Sequence, residues 1–441
     1  MDKTFENLKG TFDYLPEKQI IREDIKSTLQ AIFIKYGFAP VETPILCMYD
    51  LLASKYSEGA DILKETYKLS DQGHRELGLR YDLTITFAKL ISSNPNITLP
   101  FKRYEIGKAF RDGPVKLGRL REFYQCDIDV VGIKSVLAEA EYMMMTTEAC
   151  NELGLDIEIE FNNRKLLSGI IKCVFGDITV AMLRSSIMLI DKFAKLTEVE
   201  LLEQFAELGI NADKVYELKE LLSSNYGTLK EKLALYNNEL VFEGLAEVDE
   251  LYSYVVGTRA CECMKFAPYL ARGIDVYTGT VWEVFLKDRR IGDVDFNLSI
   301  CAGGRYDQII SAFIGDGVEY PAVGMSFGLD VICELLVLIN LDRKISTVDV
   351  YVIPMDTAVI SFKFANQLRE VGLRVDMEKT GQKLKKSMNY ANKMKIPFVI
   401  IIGENEVKNG KVNIKMMETG QSKEFSMENV VTIGEYIKGI I

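Results

Sequence analysis

The sequence predicts an α+β core, built on an antiparallel sheet flanked by helices, with a helical insertion and a separate C-terminal α/β domain. Three observations support this. Two β-like segments surround a Gly- and Pro-containing loop between residues 101 and 132, which is typical of an antiparallel hairpin. A charged helical stretch then interrupts the strands. Over the last hundred residues strands and helices alternate, which predicts a mainly parallel sheet covered on both faces.

Composition places the chain among globular proteins. Its 441 residues are 48% hydrophobic and 27% charged, enough to bury sizeable cores in two or three domains. The start, MDKTFENLKG, has no basic flank followed by an apolar core, and no apolar run approaches the ~18 residues of a membrane span. We therefore expect a cytoplasmic protein that contacts no membrane.

Cysteine and histidine content gives no support for a metal centre. The eight cysteines are scattered, and the one close pair, Cys261 and Cys263, is separated by a single residue rather than by the two or more typical of zinc ligands. His74 is the only histidine. We predict reduced structural thiols and no metal-binding residues.

The N-terminal elements are a helix and a hairpin. Residues 17–36 place isoleucine, leucine and phenylalanine near helical spacing, and Gly37 ends the helix. The β-like run FAPVETPIL follows. The segments FKRYEIGKAFR and REFYQCDIDVVG then form the hairpin, whose loop contains Gly113, Pro114 and Gly118.

The middle of the chain alternates between helical and strand patterns. It becomes helical and charged from about residue 164 to 255, and we assign the insertion to about 170–255. Strands resume at GTVWEVFL and LSICAGGRYD, and a helix covers about 328–340. We assign 1–340 to the core and 348–441 to the C-terminal domain, with LDRKISTVD as the linker.

The C-terminal domain is the more basic part of the chain. Strands are predicted at VDVYVIPM, LRVDME and PFVIIIG, helices at 357–371 and 382–395, and a hairpin turn at Asn409 and Gly410. Residues 348–441 carry 14 Lys and Arg against 11 Asp and Glu, a net charge of +3. Because the whole chain carries −11, the rest carries −14. The domain is therefore the better candidate for contact with a polyanion.

Five segments suit a small zwitterion bound next to a phosphate. The hairpin carries seven cationic side chains, and arginines at both ends of its loop could clamp a triphosphate because guanidinium pairs bidentately with phosphate oxygens. In LRYDLT, Asp82 and Thr84 are two apart, hence on one face of a strand, where they could hold an ammonium group. LARGIDVYTGTVWEV contributes Arg272 and Tyr277. AGGRYD and PAVGMSFGLD supply glycines where a ligand could approach the backbone.

Almost from end to end, from GTFDYLP at residue 10 to VIIIGENEVKNGKVNIKMM, the chain resembles the histidyl-tRNA synthetases, a class II aminoacyl-tRNA synthetase family. RGIDVYTGTVWE and AGGRYD are similar to the two histidine-specific motifs of that family. Pro44 matches the motif 1 proline, and the 101–132 hairpin matches motif 2. The resemblance implies a class II catalytic core and a C-terminal domain that binds the anticodon.

The resemblance also implies a role for nine side chains. Asp82, Thr84 and Gln125 would hold the amino group of histidine. Asp129 and Tyr277 would read its imidazole nitrogens, since a carboxylate can accept from one ring N–H while a phenol partners the other nitrogen. The remaining residues act on ATP: Arg111 on the α-phosphate, Arg119 on the distal phosphates, Phe123 stacked on adenine, and Arg272 between the histidine carboxylate and the α-phosphate. Arg272 and Arg111 would be the catalytic residues.

The implied reaction joins histidine and ATP to histidyl adenylate and then transfers histidine to tRNA(His), as part of protein biosynthesis. Arg272 would stabilise charge in the transition state, and magnesium would shield the phosphates. The partners implied are histidine, ATP, tRNA(His) and a second copy of the chain in a homodimer, with no DNA.

Departures from the family pattern leave two main hypotheses open. The motif 3 arginine that follows GLD and grips the γ-phosphate is Val331 here, and Val276 replaces a usual tyrosine. The first hypothesis is a histidine–tRNA ligase, with its ATP step either intact or impaired. The alternative is a non-ligating relative that binds histidine as a sensor or regulatory subunit. A third option is a tRNA-binding protein without catalysis. Retention of the C-terminal domain favours the first.

Overall fold

A computed structural model describes residues 5–54, 61–193, 196–272, 276–339 and 346–440. Residues 341–345 of the expected linker and 273–275 of the segment RGIDVYTG lie outside the described residues. The chain divides into two compact units. The first joins Met1–Asp13 to Asp24–Asn340, and the second joins Tyr14–Glu23 to Leu341–Ile441.

The strands of the described residues fall into four sheets. In chain order they are β1 Ala39–Pro40, β2 Leu46–Met48, β3 Lys68–Ser70, β4 Glu76–Leu79, β5 Phe101–Phe110, β6 Glu122–Val131, β7 Ile157–Asn163, β8 Met264–Phe266, β9 Thr280–Leu286, β10 Arg290–Ile291, β11 Val294–Asp295, β12 Cys301–Arg305, β13 Ala322–Gly328, β14 Val350–Pro354, β15 Val375–Met377, β16 Phe398–Ile402, β17 Lys411–Met416 and β18 Ser422–Ser426.

The helices alternate with these strands. In chain order they are α1 Pro16–Lys35, α2 Tyr49–Ala53, α3 Asp61–Lys64, α4 Thr84–Ser92, α5 Leu137–Glu152, α6 Arg164–Phe175, α7 Val180–Ile190, α8 Glu198–Glu207, α9 Ala212–Leu222, α10 Tyr226–Leu233, α11 Glu239–Val255, α12 Arg259–Cys263, α13 Asp307–Ile314, α14 Leu329–Leu338, α15 Ala358–Glu370, α16 Leu384–Lys393, α17 Glu404–Asn409 and α18 Val430–Lys438.

The first unit is built on an eight-stranded sheet in the order β1-β5-β6-β13-β12-β9-β7-β8. Its six central strands pair antiparallel, and the short edge strands β1 and β8 pair parallel. This is the antiparallel core that the sequence predicts. Helix α5 packs on one face, where Tyr142 meets the fully buried Trp282 of β9 at a ring distance of 5.8 Å.

The predicted hairpin is confirmed as β5 and β6, which pair along their whole length from Phe101 opposite Val131 to Phe110 opposite Glu122. Strand β13 then pairs with the other edge of β6, so that Gly324 lies opposite Asp129. Because β13 and β12 are both rich in small residues, the sheet leaves space above the middle of β6.

The β-like run at 38–46 is not one strand. β1 pairs with β5, whereas β2 pairs with β4 in a separate three-stranded sheet. Pro44 lies between them, and proline has no N–H to donate to a strand ladder. The Thr43 N–H instead donates to the buried Glu105 carboxylate at 3.0 Å.

Helices α6 to α12 lie between β7 and β8 in the chain. Side-chain caps begin several of them. Asn163, Asn225 and Asn238 accept from first-turn amides, and Thr197 forms a capping box with Glu200. Such caps satisfy amides that have no partner within the helix, which explains why a charged sequence forms several short helices here.

The second unit contains a five-stranded sheet in the order β15-β14-β16-β17-β18. The first three strands are parallel, and β17 and β18 complete the sheet antiparallel. The turn predicted at Asn409 and Gly410 is wrong. Asn409 ends helix α17, and Gly410 caps it with a φ of 66°, a left-handed conformation that glycine adopts without strain.

In the described ranges, no single helix has both the length and the apolar character needed to cross a membrane. Helices α6 and α7 would pass that test only when taken together, and they meet at an angle of 109°.

Candidate active site

A cavity of about 560 Å³ lies over the middle of the large sheet in the first unit. It brings together eight of the nine side chains that the sequence analysis singled out. These are Asp82, Thr84, Arg111, Phe123, Gln125, Asp129, Arg272 and Tyr277. The ninth, Arg119, does not line it. The residues come from four separate stretches of the chain, so their meeting is a property of the tertiary structure.

Strand β6 supplies the floor of the cavity. Its alternate residues Phe123, Gln125, Asp127 and Asp129 all line it, as expected for side chains on one face of a strand. On the neighbouring strand, Gly324 keeps the floor open. A Cβ atom at this position would lie 2.1 Å from Asp129 Oδ1, so only glycine leaves room for the carboxylate.

Asp129 is buried and held on both of its oxygens. The Tyr306 hydroxyl donates a hydrogen bond to Oδ1, and Arg103 Nη2 lies 2.6 Å from Oδ2. Arg103 is fully buried. Burial, reinforced by the negative charge of Asp129, raises the pKa of Tyr306 well above its usual range. Tyr306 therefore keeps its proton and orients the carboxylate.

Asp127 lies two residues before Asp129 and is also buried. Desolvation is the main reason that its pKa is raised to about 7, and the charge of Asp129 adds to this effect. Arg103 and a hydrogen bond from Ser326 act in the opposite direction. Asp127 was not among the site residues predicted from the sequence. The alternation of Gln125, Asp127 and Asp129 on a predicted strand was the signal that could have found it.

The side-chain amide of Gln125 has one polar atom that is hydrogen-bonded and one that has no partner among the described residues. Its Nε2 donates to Ser326 Oγ at 3.0 Å, whereas its buried Oε1 has no hydrogen-bond partner among the described residues. A buried acceptor without a donor costs about 1–3 kcal/mol. The geometry therefore favours a ligand that brings an N–H to this point.

Asp82 and Thr84 reach the cavity in a different way from the one predicted. They do not lie on a strand, because β4 ends at Leu79 and Thr84 is the first residue of α4. The Asp82 carboxylate accepts a hydrogen bond from the Ile85 N–H at 3.1 Å, one of the amides that the first turn of a helix leaves unpaired. Starting the helix therefore overrides the strand pattern.

Arg272 and Tyr277 lie side by side on the cavity wall. The guanidinium carbon lies 5.7 Å from the centre of the tyrosine ring, and Nη1 lies 2.9 Å from Glu283 Oε1. Arg272 has a φ of 44°, which is strained for a residue with a side chain. Gly304 makes room for the ring, because a Cβ there would lie 2.7 Å from Tyr277 Cδ1.

At the other end of the cavity Arg111 lies over Phe123, with its guanidinium carbon 4.9 Å from the ring centre. Arg119 points elsewhere. Its Nη2 contacts both carboxylate oxygens of Glu65, at 2.6 and 2.7 Å, and its side chain is 46% exposed. In this structure Glu65 therefore holds the arginine that the family resemblance assigns to the distal phosphates of ATP.

Val331 lies in the first turn of helix α14, close to Gly118 of the hairpin loop. A Cβ at Gly118 would lie 3.1 Å from Val331 Cγ2 and 2.7 Å from Leu298 Cδ1, so the side chain packs in an apolar contact against the loop. The preceding Asp330 accepts from the Tyr124 N–H at 2.8 Å. This carboxylate therefore fixes α14 to β6.

Within the described ranges no three His, Cys, Asp or Glu side chains are grouped so as to hold a metal ion. All eight cysteines are free thiols, and Cys301 lines the cavity. Burial raises the pKa of the Cys301 thiol well above its usual range, which keeps it protonated.

Two protein families match the chain. The family described as "Histidyl-tRNA synthetase" matches residues 10–332, and "Anticodon binding domain" matches residues 349–434. Histidine–tRNA ligase 1 of Bacillus cereus is 47% identical over 416 residues, covering 94% of this chain and 96% of that protein.

Solved structures are similar to this chain over most of its length. The crystal structure of histidyl-tRNA synthetase from Nostoc sp. PCC 7120 matches with a TM-score of 0.86 at 28% identity, covering 99% of each chain. A Bacillus halodurans C structure titled as an ATP phosphoribosyltransferase regulatory subunit/histidyl-tRNA synthetase matches with a TM-score of 0.73, covering 90% of this chain and 98% of that one. At 22% identity, the second match shows the fold alone.

Proposed function

Because this chain belongs to the histidyl-tRNA synthetase family and is a histidine–tRNA ligase, we propose that the cavity over β6 binds histidine and ATP side by side. The observation that carries the proposal is the meeting of eight side chains, predicted from separate sequence segments, in one cavity. The proposal assigns each of them a role.

The amino group of histidine binds at the end of the cavity formed by Asp82, Thr84 and Gln125. The unpartnered Gln125 Oε1 supports this assignment, because an ammonium group supplies the missing donor. Asp129 accepts from one imidazole N–H and Tyr277 partners the other ring nitrogen. Since Tyr306 and Arg103 hold both oxygens of Asp129, the carboxylate is kept in one orientation before the ligand arrives.

ATP binds at the hairpin end. Arg111 contacts the α-phosphate, Phe123 stacks on adenine, and Arg119 takes the distal phosphates after leaving Glu65. Arg272 bridges the histidine carboxylate and the α-phosphate. One carboxylate oxygen of histidine attacks the α-phosphorus, a P–O bond forms, and pyrophosphate leaves with the electron pair. No base is needed, because the nucleophile is already an anion, so Arg272 and Arg111 act by charge neutralisation and positioning.

In the second step a ribose hydroxyl at the end of tRNA(His) attacks the carbonyl carbon of the adenylate, the bond from that carbon to the phosphate oxygen breaks, and AMP leaves with the hydroxyl proton. Magnesium, when bound, would neutralise phosphate charge during the first step. The donor set fits an ion carried by the ATP phosphates, because magnesium commonly binds through phosphates with one or two carboxylates rather than in a protein cage. Glu283, which lines the cavity, would be the carboxylate to supply such a contact.

The same family membership underlies our assignments of the domains, the compartment and the oligomeric state. We propose that residues 1–340 form the catalytic core, with its insertion at about 170–255, and that residues 348–441 bind the anticodon. We also propose that the protein works as a cytoplasmic homodimer. The net charge of +3 over residues 348–441 favours contact with RNA phosphates.

We also propose that the reaction of histidine with ATP is impaired in this chain. Val331 is apolar and cannot replace an arginine on the γ-phosphate, a charge-assisted contact worth roughly 1.5–3 kcal/mol. The regulatory-subunit alternative has less support, since the family match to an anticodon-binding domain at residues 349–434 favours a protein that contacts tRNA.

Histidine-dependent exchange of pyrophosphate with ATP tests the proposal. We expect measurable exchange with histidine and none with other amino acids. Absence of exchange in a protein that still binds histidine would overturn the ligase assignment of this site and favour the sensor alternative.

A further inference from the structure

The Asp127 carboxyl takes no part in the mechanism described above, yet it lies at the centre of the cavity floor. It is only 3% exposed, and its Oδ1 has no hydrogen-bond partner among the described residues. Burying such an acceptor without a donor is unfavourable, so its retention in the cavity lining calls for an explanation.

The position of Asp127 on strand β6 places it next to a second acceptor without a partner. Asp127 lies between Gln125 and Asp129 on the same face of β6, about 7 Å from each along the strand. Gln125 Oε1, its neighbour, is also buried without a partner among the described residues. Two adjacent acceptors therefore line the same cavity, and both need a donor that the described part of the chain does not provide.

The charges around Asp127 indicate what kind of donor fits. Besides burial, four groups shift the pKa of the Asp127 carboxyl: Arg103 on β5, Asp129 on β6, Asp82 before α4 and Ser326 on β13. Burial raises the pKa of Cys301 on β12, and the charge of Asp127 adds to this effect. Arg103 is the one cation in this set. It is already 2.6 Å from Asp129 and 3.7 Å from Glu105, so a single guanidinium serves three carboxylates. The floor therefore favours a cationic ligand group.

We propose that Asp127 is a further substrate-binding residue, whose carboxylate accepts a hydrogen bond from the protonated α-amino group of the amino acid. The inference rests on the proposed function. Gln125, which the proposed function assigns to the amino group, is the neighbour that also lacks a donor, whereas Asp129 and Tyr277 already account for both ring nitrogens. Asp127 therefore adds charge recognition to the amino-group end.

The affinity for ligands that carry the amino group should depend on pH. Asp127 has a pKa of about 7, so it is largely protonated and neutral below that pH and anionic above it. A cationic ligand binds the anionic form more tightly. Affinity for ligands that carry the amine should therefore rise as the pH increases through about 7.

The test is calorimetric binding of three ligands at about pH 8 to the full chain and to Asp127→Asn. Histidine and histamine carry the amine, and 3-(imidazol-4-yl)propanoate lacks it. We expect the substitution to lower the affinity for histidine and histamine by roughly 10- to 150-fold, because one charge-assisted hydrogen bond is lost. The affinity for 3-(imidazol-4-yl)propanoate should fall by less than about 2-fold. Asp127→Glu, which keeps the carboxylate, should restore part of the affinity for the amines.

Glu139→Gln is the matched control. Glu139 is another buried carboxyl in the same unit, but it pairs with Arg305 outside the cavity, so its loss should leave all three affinities unchanged. Equal weakening of all three ligands by Asp127→Asn, or no weakening, would overturn the inference.

A second measurement needs no variant. In the unsubstituted protein, the difference between the pH profiles of histidine and imidazolylpropanoate binding should rise through about pH 7, because the shared imidazole titration cancels. Parallel profiles would contradict the inference. The proposed function fails only if the unsubstituted protein does not bind histidine, so the two failures are distinguishable.

Discussion

Tyr306 donates a hydrogen bond from its hydroxyl to the Asp129 carboxylate across the intervening strand β13. The contact is possible because Gly324, opposite Asp129 on β13, has no side chain. Residues on or next to three adjacent strands, β6, β13 and β12, therefore determine the orientation of one carboxylate in the cavity.

Removing the Tyr306 hydroxyl should loosen that carboxylate. Tyr306→Phe leaves Asp129 with one partner fewer, and we expect histidine affinity to fall by about 5- to 150-fold, corresponding to about 1–3 kcal/mol. Calorimetry measures this directly. Tyr142→Phe is the control, because Tyr142 is equally buried and donates to the Val323 carbonyl at 3.0 Å but does not line the cavity. A similar loss of affinity in the control would point to general destabilisation instead.

Adding one methyl group at Gly324 should have a comparable effect for a steric reason. Gly324→Ala places a Cβ 2.1 Å from Asp129 Oδ1, so the carboxylate or the strand must move. Overpacking of this kind costs about 1–3 kcal/mol, and we expect both the melting temperature and histidine affinity to fall. Gly227→Ala, in helix α10 where the nearest atom would lie at 3.6 Å, should preserve binding. Undiminished histidine binding by Gly324→Ala would show that Asp129 is not needed in its observed position.

Restoring a cation at Val331 should accelerate adenylation. Val331→Arg adds a partner for the γ-phosphate, and we expect pyrophosphate exchange to rise by up to about 10- to 150-fold, with histidine affinity unchanged. Val331→Met tests whether side-chain length alone has an effect, since methionine fills the space near Leu298 and Gly118 without a charge. If both variants exchange at the unsubstituted rate, the missing arginine does not limit the reaction.

Freeing Arg119 should strengthen ATP binding. Glu65→Gln removes the carboxylate that competes with the distal phosphates, and the KM for ATP should fall by about 1.5- to 5-fold. The effect is small because the pair is partly exposed, and such pairs contribute about 0.2–1 kcal/mol. Glu122→Gln, which breaks the Lys108 pair on the same hairpin, is the control. An unchanged or higher KM in Glu65→Gln alone would indicate that Glu65 positions Arg119 rather than restraining it.

The antiparallel core, the family and the ligase function could be predicted from the sequence, and the fold and the comparisons confirm them. The hairpin β5–β6 was predictable because its two strands adjoin in sequence and a Gly- and Pro-containing loop sets the turn. The individual residue roles stay predictions. Local patterns gave the wrong element twice, at Asp82 and Thr84 and at Asn409 and Gly410, because helix capping overrode the expected strand and turn.

The side chains available to bind histidine and ATP could be identified from contiguous sequence motifs. How those side chains are held depends on contacts made by the folded chain. The pairing of Tyr306 with Asp129 and the capture of Arg119 by Glu65 both join residues more than 50 positions apart. Such contacts depend on strand order and register across the sheet, and no local pattern of residues specifies these.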